Sequence, residues 1–370
     1  MIKRCLVIFL AVLMTAPAAF SQTLEPTPPE ILVPMQLRWM GPADTLTLFF
    51  VGDIMSHGSV RQGAEKNGYE GFFKHIESKI NGANLAVGNM EFPLAGKPYS
   101  GYPSFSGPSS FAAYLSDVGF DVLLTANNHV LDKGSEGAER TIRRLKEMDI
   151  PFTGISGDEQ DDTLLNPLMV PVRGLRVAII NFTYGTERGA GAKWPKVNYM
   201  NKERLGPMME RARRKADLVL VFPHWGNEYE HFHSKNQEDF ARWLVSEGAD
   251  VIIGGHPHVI QDVQYIDGVP VIYSLGNALS NQNDLPARLE AVLTLKLVRR
   301  FGEPLKMLPP EFDYLWCTKP GMVEATHAAI PVTEPPSVWK DSTDYVKMKA
   351  TLESLRKKGL ILDACNSDKN

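Results

Sequence analysis

The sequence predicts an α/β protein. Three observations carry this: short apolar, β-branched runs, too short for helices, recur along the chain; each ends in a cluster of polar residues and glycine; and helix-like amphipathic segments stand between several of them.

In chain order, residues 1–21 come first. A basic start at Lys3 and Arg4, an apolar stretch from Cys5 to Met14 and small residues at Ala19 and Ser21 make a secretory signal peptide, with cleavage expected near Ser21. An uncleaved membrane anchor is the alternative, but the apolar stretch is short for a span and no later run reaches the roughly 18 apolar residues a spanning helix needs. The mature protein is therefore expected in the periplasm or secreted. Removing Lys3 and Arg4 and no acid moves the formal charge from −4 to −6. That mild acidity argues against nucleic acid as the main partner. Two cysteines then remain, Cys317 and Cys365; a bridge tying down the C-terminal tail and two free thiols both stay open.

Residues 22–44 are proline-rich and lack either periodicity, as a linker or wrapping arm does. A main domain is expected over 45–300. Its strand-like runs are TLTLFFVGD, ANLAVGNME, FDVLLTANNH, RVAIINFTY, ADLVLVFPHWGNE, ADVIIGGHPH and VPVIYSLGN. Most are apolar on both alternating faces, which fits strands buried under layers on both sides. Helices are expected from Ser135 (SEGAERTIRRLKEM), from Asn201 (NKERLGPMMERARRKA) and over Lys235 to Gly248, where Phe240, Trp243 and Leu244 share one side and a glycine ends the pattern. Residues 301–370 change texture, with prolines breaking any regular element before a last helix-like stretch. They read as an appendage packed on the core.

Ligands of open α/β sheets sit beyond the carboxyl ends of the strands, where the polar clusters fall here. In order these are Asp53; Asn89 and Glu91; Asn127, Asn128 and His129; His224 and Glu228; His256 and His258; and Asn277. Each alone has a structural explanation, as a turn, a helix cap or a core histidine. Together, carboxylate, amide oxygen and imidazole at successive strand ends make the donor set of a hydrolytic metal site for Zn, Fe or Mn. Two ions about 3.5–4 Å apart would clamp a phosphoryl oxygen and activate water. His256 and His258 are then spaced to face different ions, with Pro257 fixing the backbone between them. The sequence contains neither a Gly-x-Ser-x-Gly elbow nor a Gly-x-x-x-x-Gly-Lys loop.

The ordered set VGDIM, GNMEFPL, ANNHVLDKG, HWGNEY, GGHPHVIQ and YSLGN resembles the CapA family of capsule and poly-γ-glutamate synthesis proteins, whose fold is similar to that of calcineurin-like metallophosphoesterases. The resemblance spans about Thr45 to Leu279. It implies a four-layer α/β/β/α sandwich, with two central sheets between helices. It also implies metal ligands at Asp53, Asn128, His224, His256 and His258, and His129 as general acid for the leaving oxygen. Two positions depart from the phosphoesterase pattern. Met55 stands where Asp-x-His would supply a histidine, and a thioether is a poor ligand for such a metal. Asn89 stands where a bridging carboxylate is usual, and Glu91, two residues on along an extended segment, is expected to take over the bridge. One firmly held ion and two ions both stay open.

Other residues carry weaker expectations. Asn89, Asn127, Glu228 and Asn277 are candidates for orienting ligands or binding substrate, with Glu228 placed to orient His224. His57, His231 and His233 read as solvated, and Trp225 as packing. Two functions follow. The first is a metal-dependent hydrolase outside the cytoplasm, acting on a phosphoester or another bond in an anionic cell-envelope polymer. The second is an accessory protein of capsule-synthesis machinery that uses the same cleft without turnover. The net negative charge offers no steering towards a polyanion unless metal ions or a local basic patch supply it.

Overall fold

The computed structural model describes residues 44–188 and 193–362. The signal peptide expected over 1–21, the arm over 22–44 apart from its last residue, and Cys365 lie outside the described residues.

The chain opens with β1 (Asp44–Ile54), α1 (Gly58–Asn67), α2 (Glu77–Gly82), β2 (Leu85–Met90), α3 (Ser109–Asp117), β3 (Val122–Leu124), α4 (Gly134–Glu147) and β4 (Phe152–Thr153). It continues through β5 (Ile155–Ser156), α5 (Glu159–Leu165), β6 (Leu168–Val172), β7 (Leu175–Thr183), β8 (Lys196–Val197), α6 (Lys202–Lys215), β9 (Leu218–His224) and α7 (Lys235–Ser246). After β10 (Val251–Ile253), β11 (Val263–Ile266), β12 (Val269–Ile272) and β13 (Asn277–Leu279) come β14 (Leu289–Arg299), β15 (Lys306–Met307), β16 (Glu311–Thr318), β17 (Ala328–Pro331) and α8 (Ser342–Lys357).

Two large sheets organise these elements, and β5 and β8 form a separate two-stranded one. The first has nine strands in the order β17-β16-β14-β1-β2-β3-β4, with β13 on β1 and β15 on β14; the second has six, β11-β12-β10-β9-β7-β6. Strands β1 to β4 run parallel, as do β7, β9, β10 and β12. Strand alternation then assigns each side chain to a layer. From β1, Leu46, Leu48 and Phe50 meet Val177, Ile179, Leu220 and Phe222 of the second sheet in one core. Phe49 and Val51 face the other way, against Val60 of α1, Phe111 and Leu115 of α3, and Ile142 and Leu145 of α4. On the far side of the second sheet, Ile180, Val219 and Val221 pack on Leu205 and Met208 of α6 and Phe240 and Leu244 of α7. The result is four layers, helix, sheet, sheet and helix. Each such aliphatic or aromatic side chain taken out of water contributes about 1.5–3 kcal/mol.

Local signals set the helices. Ser234 and Gln237 form a reciprocal capping box at the start of α7, and Gly248 beyond its end takes φ 96°, a left-handed conformation that glycine adopts without a Cβ clash. The C-terminal segment joins the core directly: β15 to β17 extend the first sheet beyond β14, and Met348, Leu352 and Leu355 of α8 pack against the inter-sheet core. Among the described residues, no helix is long and apolar enough to cross a membrane.

Candidate metal centre

The strand ends converge where the two sheets meet. Asp53 lies one residue before the end of β1, in register with Asn89 of β2 on one side and Asn277 of β13 on the other. The chain leaving β3 carries Asn127, Asn128 and His129; β9 ends on His224, and His256 and His258 follow β10. All of these residues are buried. Backbone must come close for this to happen. A Cβ on Gly255 would lie 2.7 Å from Asp53 Oδ1, and one on Gly52 would lie 2.0 Å from the Gly276 carbonyl oxygen. The glycines before the histidine pair are therefore a packing requirement.

Asp53 is held from both sheets. Its Oδ1 accepts from Asn89 Nδ2 at 2.7 Å and its Oδ2 from the His256 backbone N–H at 3.0 Å. Its Oδ2 lies 3.5 Å from His258 Nδ1, and its Oδ1 lies 3.9 Å from His224 Nδ1. Burial alone would raise its pKa, but the His258 hydrogen bond and the fields of His224 and His258 outweigh it and hold the carboxyl well below the usual range.

Glu91 is different. It is fully buried, and neither carboxylate oxygen has a hydrogen-bond partner among the described residues. Its Oε1 faces His224 Nε2 at 3.7 Å and His258 Nε2 at 3.9 Å. Burial first, then the charges of Asp53 and Glu228, push its carboxyl well above the usual range. An unpartnered buried carboxylate among imidazoles calls for a cation or a proton.

The remaining side chains are oriented by named partners. His224 donates from Nε2 to Asn128 Oδ1 at 2.9 Å, and its Nδ1 lies 3.3 Å from Asn89 Nδ2. His258 donates from Nδ1 to Asn277 Oδ1 at 2.9 Å, while Asn277 Nδ2 donates to the His258 and Ala287 carbonyls, so Asn277 fixes that imidazole. Asn127 donates to Asn89 Oδ1 and to the Met90 carbonyl. His256 Nδ1 is buried without a partner, and its ring lies 4.5 Å from that of Tyr184. Burial holds His224 down to about 3 against the pull of Asp53, and burial with the neighbouring imidazoles holds His256 low as well, so both are neutral lone-pair donors. Both His256 and His258 take positive φ, 95° and 59°, a costly conformation for a residue with a Cβ.

These atoms fall into groups. Ligand atoms of Asp53, Glu91 and His258 lie within 4.8 Å of one another, and so do those of Glu228, His256 and His258. Asn128 and His224 touch, and the same Glu91 oxygen that faces His258 faces His224. The oxygen and imidazole donors, with Glu91 and His256 Nδ1 unpartnered, fit a divalent cation.

Glu228, His57, His231 and His233 differ from expectation, whereas Met55 and Trp225 are packing residues as expected. Glu228 does not reach His224; its carboxylate is half-exposed, 3.9 Å from His258 Nε2. His57 is half-buried, its Nδ1 accepting from the Asn281 backbone at 3.2 Å and its ring against Phe105. His231 bonds the Ile260 carbonyl, and His233 bonds Asp262 and stacks on Tyr273 at 4.0 Å. Met55 is buried in the core under the first helix layer. Trp225 packs behind the second sheet with Nε1 on the Tyr273 carbonyl.

Four residues in the centre were not singled out from the sequence. Asp132 Oδ2 accepts from His129 Nδ1 at 2.9 Å and from the Phe105 N–H at 2.6 Å. Glu187 accepts from Asn128 Nδ2 at 3.0 Å. Asn181 of β7 accepts from the Thr125 and Ala126 N–H groups and donates to the Phe222 carbonyl, clipping the two sheets together beneath the site. Tyr184 covers His256. The three-residue spacing of His129 and Asp132 and the strand-end position of Tyr184 were the available signals.

Comparison with known proteins gives the family. The family model described as "Bacterial capsule synthesis protein PGA_cap" matches residues 47–282. The capsule biosynthesis protein CapA of Bacillus anthracis is 33% identical over 252 residues, 65% of this chain and 61% of that protein. The PGA biosynthesis protein CapA of Bacillus subtilis (strain 168) is 31% identical over 260 residues, 69% of this chain and 68% of that protein. The chain thus spans about three fifths of the first relative's length. Among solved structures, a putative 5'-nucleotidase from Staphylococcus aureus in complex with alpha-ketoglutarate aligns with a TM-score of 0.49 and 17% identity, over 84% of this chain and 59% of its own. With well over half of its length matched by the family model, the chain belongs to the PGA_cap family of bacterial capsule synthesis proteins.

Proposed function

We propose that the chain is a metal-dependent hydrolase serving the synthesis of an anionic cell-envelope polymer, cleaving a phosphoester or another bond of that polymer. The observation that carries this is Glu91, a buried carboxylate without hydrogen-bond partners, set between Asp53 and two imidazoles and followed in space by a His129–Asp132 pair.

When bound, one or two divalent ions (Mn, Fe or Zn) supply Lewis acidity and lower the pKa of water towards neutrality. Asp53, Glu91 and His258 would hold one ion, and Asn128, His224 and His256 would serve a second. With Met55 in the core, the Asp53 side has the thinner ligand set. Asp132 fixes the ring of His129 through Nδ1, leaving Nε2 to hand a proton to the leaving oxygen. Asn277 and Asn89 hold His258 and Asp53 in place. The basic and apolar pattern of residues 1–21 supports action outside the cytoplasm, which N-terminal sequencing of the protein recovered from the cell envelope would check.

The test is metal content of the purified protein, wild type beside His256→Ala and Asn128→Ala, paired with turnover of an aryl phosphodiester with and without Mn. Near-stoichiometric metal in wild type, lost in both variants, and metal-dependent turnover are expected. A folded wild type that takes up no metal would remove the hydrolase and leave the cleft to an accessory role.

A further inference from the structure

Beside the loop that carries His129 lies a second cavity, a groove of about 400 Å³ between residues 95–98 and the first turns of α4. Its lining carries Lys97, Lys133, Arg140 and Arg143 against a single acid, Glu136. This gathers positive charge on a chain whose formal net charge is −4.

The cations are poorly neutralised. Arg140 makes no hydrogen bond or ion pair among the described residues, and its Nε is buried without a partner. Its guanidinium is seated against Gly96, where a Cβ would come within 2.8 Å of Nε, so Gly96 at φ 91° leaves the room. Arg143 comes no closer than 3.9 Å to Glu147, whereas Arg144 on the same helix bonds both Ser109 and Glu147. Lys97 Nζ lies 5.9 Å from the Tyr99 ring, and Lys133 Nζ donates to the Ser104 hydroxyl at 2.9 Å, a neutral partner. Like charges held together with so little counter-charge attract an anion, and Arg side chains bind carboxylates through paired hydrogen bonds.

A hydrogen-bond chain links the groove to the loop that carries His129. Ser104 Oγ, which receives the Lys133 bond, itself donates to the Asp132 carbonyl, and the Asp132 carboxylate holds His129. Lys133 of the groove is thus two hydrogen bonds away from the backbone of Asp132, the residue that holds His129.

We propose that this groove is a subsite for the carboxylates of an anionic polymer strand whose scissile bond lies in the metal centre. The proposal rests on the polymer reading above, but its binding test does not need turnover. Fluorescence anisotropy of a labelled short oligoglutamate on the full-length protein would measure affinity, with oligoglutamine as the neutral control and inorganic polyphosphate as a second anion. Wild type is expected to bind oligoglutamate with salt-sensitive affinity. Lys97→Gln with Arg140→Gln is expected to weaken it about tenfold, with metal content and melting temperature unchanged, and Arg140→Lys to fall between the two, keeping the charge but not the paired bonds. His256→Ala is expected to bind oligoglutamate as wild type does. Unchanged affinity in the Lys97/Arg140 variant, equal binding of oligoglutamine, or binding of polyphosphate alone would each overturn the proposal. Failure of the hydrolase reading would show separately, as absent metal with groove binding intact.

Discussion

His129 and Asp132 occupy one turn, and the 2.9 Å bond between them fixes which imidazole nitrogen is left for substrate. Removing the carboxylate's charge with Asp132→Asn is expected to lower turnover about 10–100-fold while metal content stays at the wild-type level, because Asp132 touches no ligand. A loss of metal in that variant would instead make Asp132 part of the ion's scaffold. At this scale the sequence was legible where chemistry is carried by residue type. Asp53, Glu91, Asn128, His224, His256 and His258 all lie in one buried cluster. Partners were harder to see, since Asp132 and Glu187 are ordinary acids until the fold places them against His129 and Asn128. Glu228 shows the reverse, a motif neighbour of His224 whose carboxylate faces His258 instead.

Helices α5 and α6 and the short strand β8 meet at one carboxylate. Asp162 accepts from Arg204 Nη1 at 2.9 Å, from Arg204 Nη2, and from Lys196 Nζ at 3.1 Å. Burial would raise its pKa, but the Arg204 and Lys196 bonds win and hold it down to about 2. Because the folded pKa is depressed, this link contributes its full stability above the ordinary value of 3.8 and loses it as pH falls from there towards 2. Asp162→Asn should therefore lower stability at neutral pH and flatten the stability-versus-pH curve across that window, as read by denaturant melts at stepped pH. An unchanged curve would show that the link is screened. Elements followed the sequence most closely where apolar runs were bounded by caps or glycine, as in β1, β9 and α7. No strand is expected over Leu289–Arg299 from the sequence, yet β14 pairs with β1 over seven residues, from Asp44 to Phe50. Long-range pairing of this kind leaves no local signal beyond alternation.

The C-terminal helix is tied to the body by a buried ion pair. Arg288, which follows the loop after Asn277, bonds Asp344 of α8 from Nη2 at 2.8 Å and lies 4.5 Å from the Trp316 ring, while Trp316 Nε1 donates to the same carboxylate at 3.0 Å. Removing one partner leaves a buried charge, so Asp344→Ala is expected to cost about 3–5 kcal/mol, seen as a large drop in melting temperature. A small change would show that α8 is dispensable to the fold. By itself, the sequence determined the α/β class, the family resemblance and the donor set, because these depend on residue type, short-range periodicity and ordered motifs. Only the tertiary structure decided that Glu91 is left unpartnered between imidazoles, that His256 and His258 are held at positive φ, and that a basic groove adjoins His129. Each of those depends on groups far apart in the chain approaching within a few ångströms, which no local pattern encodes.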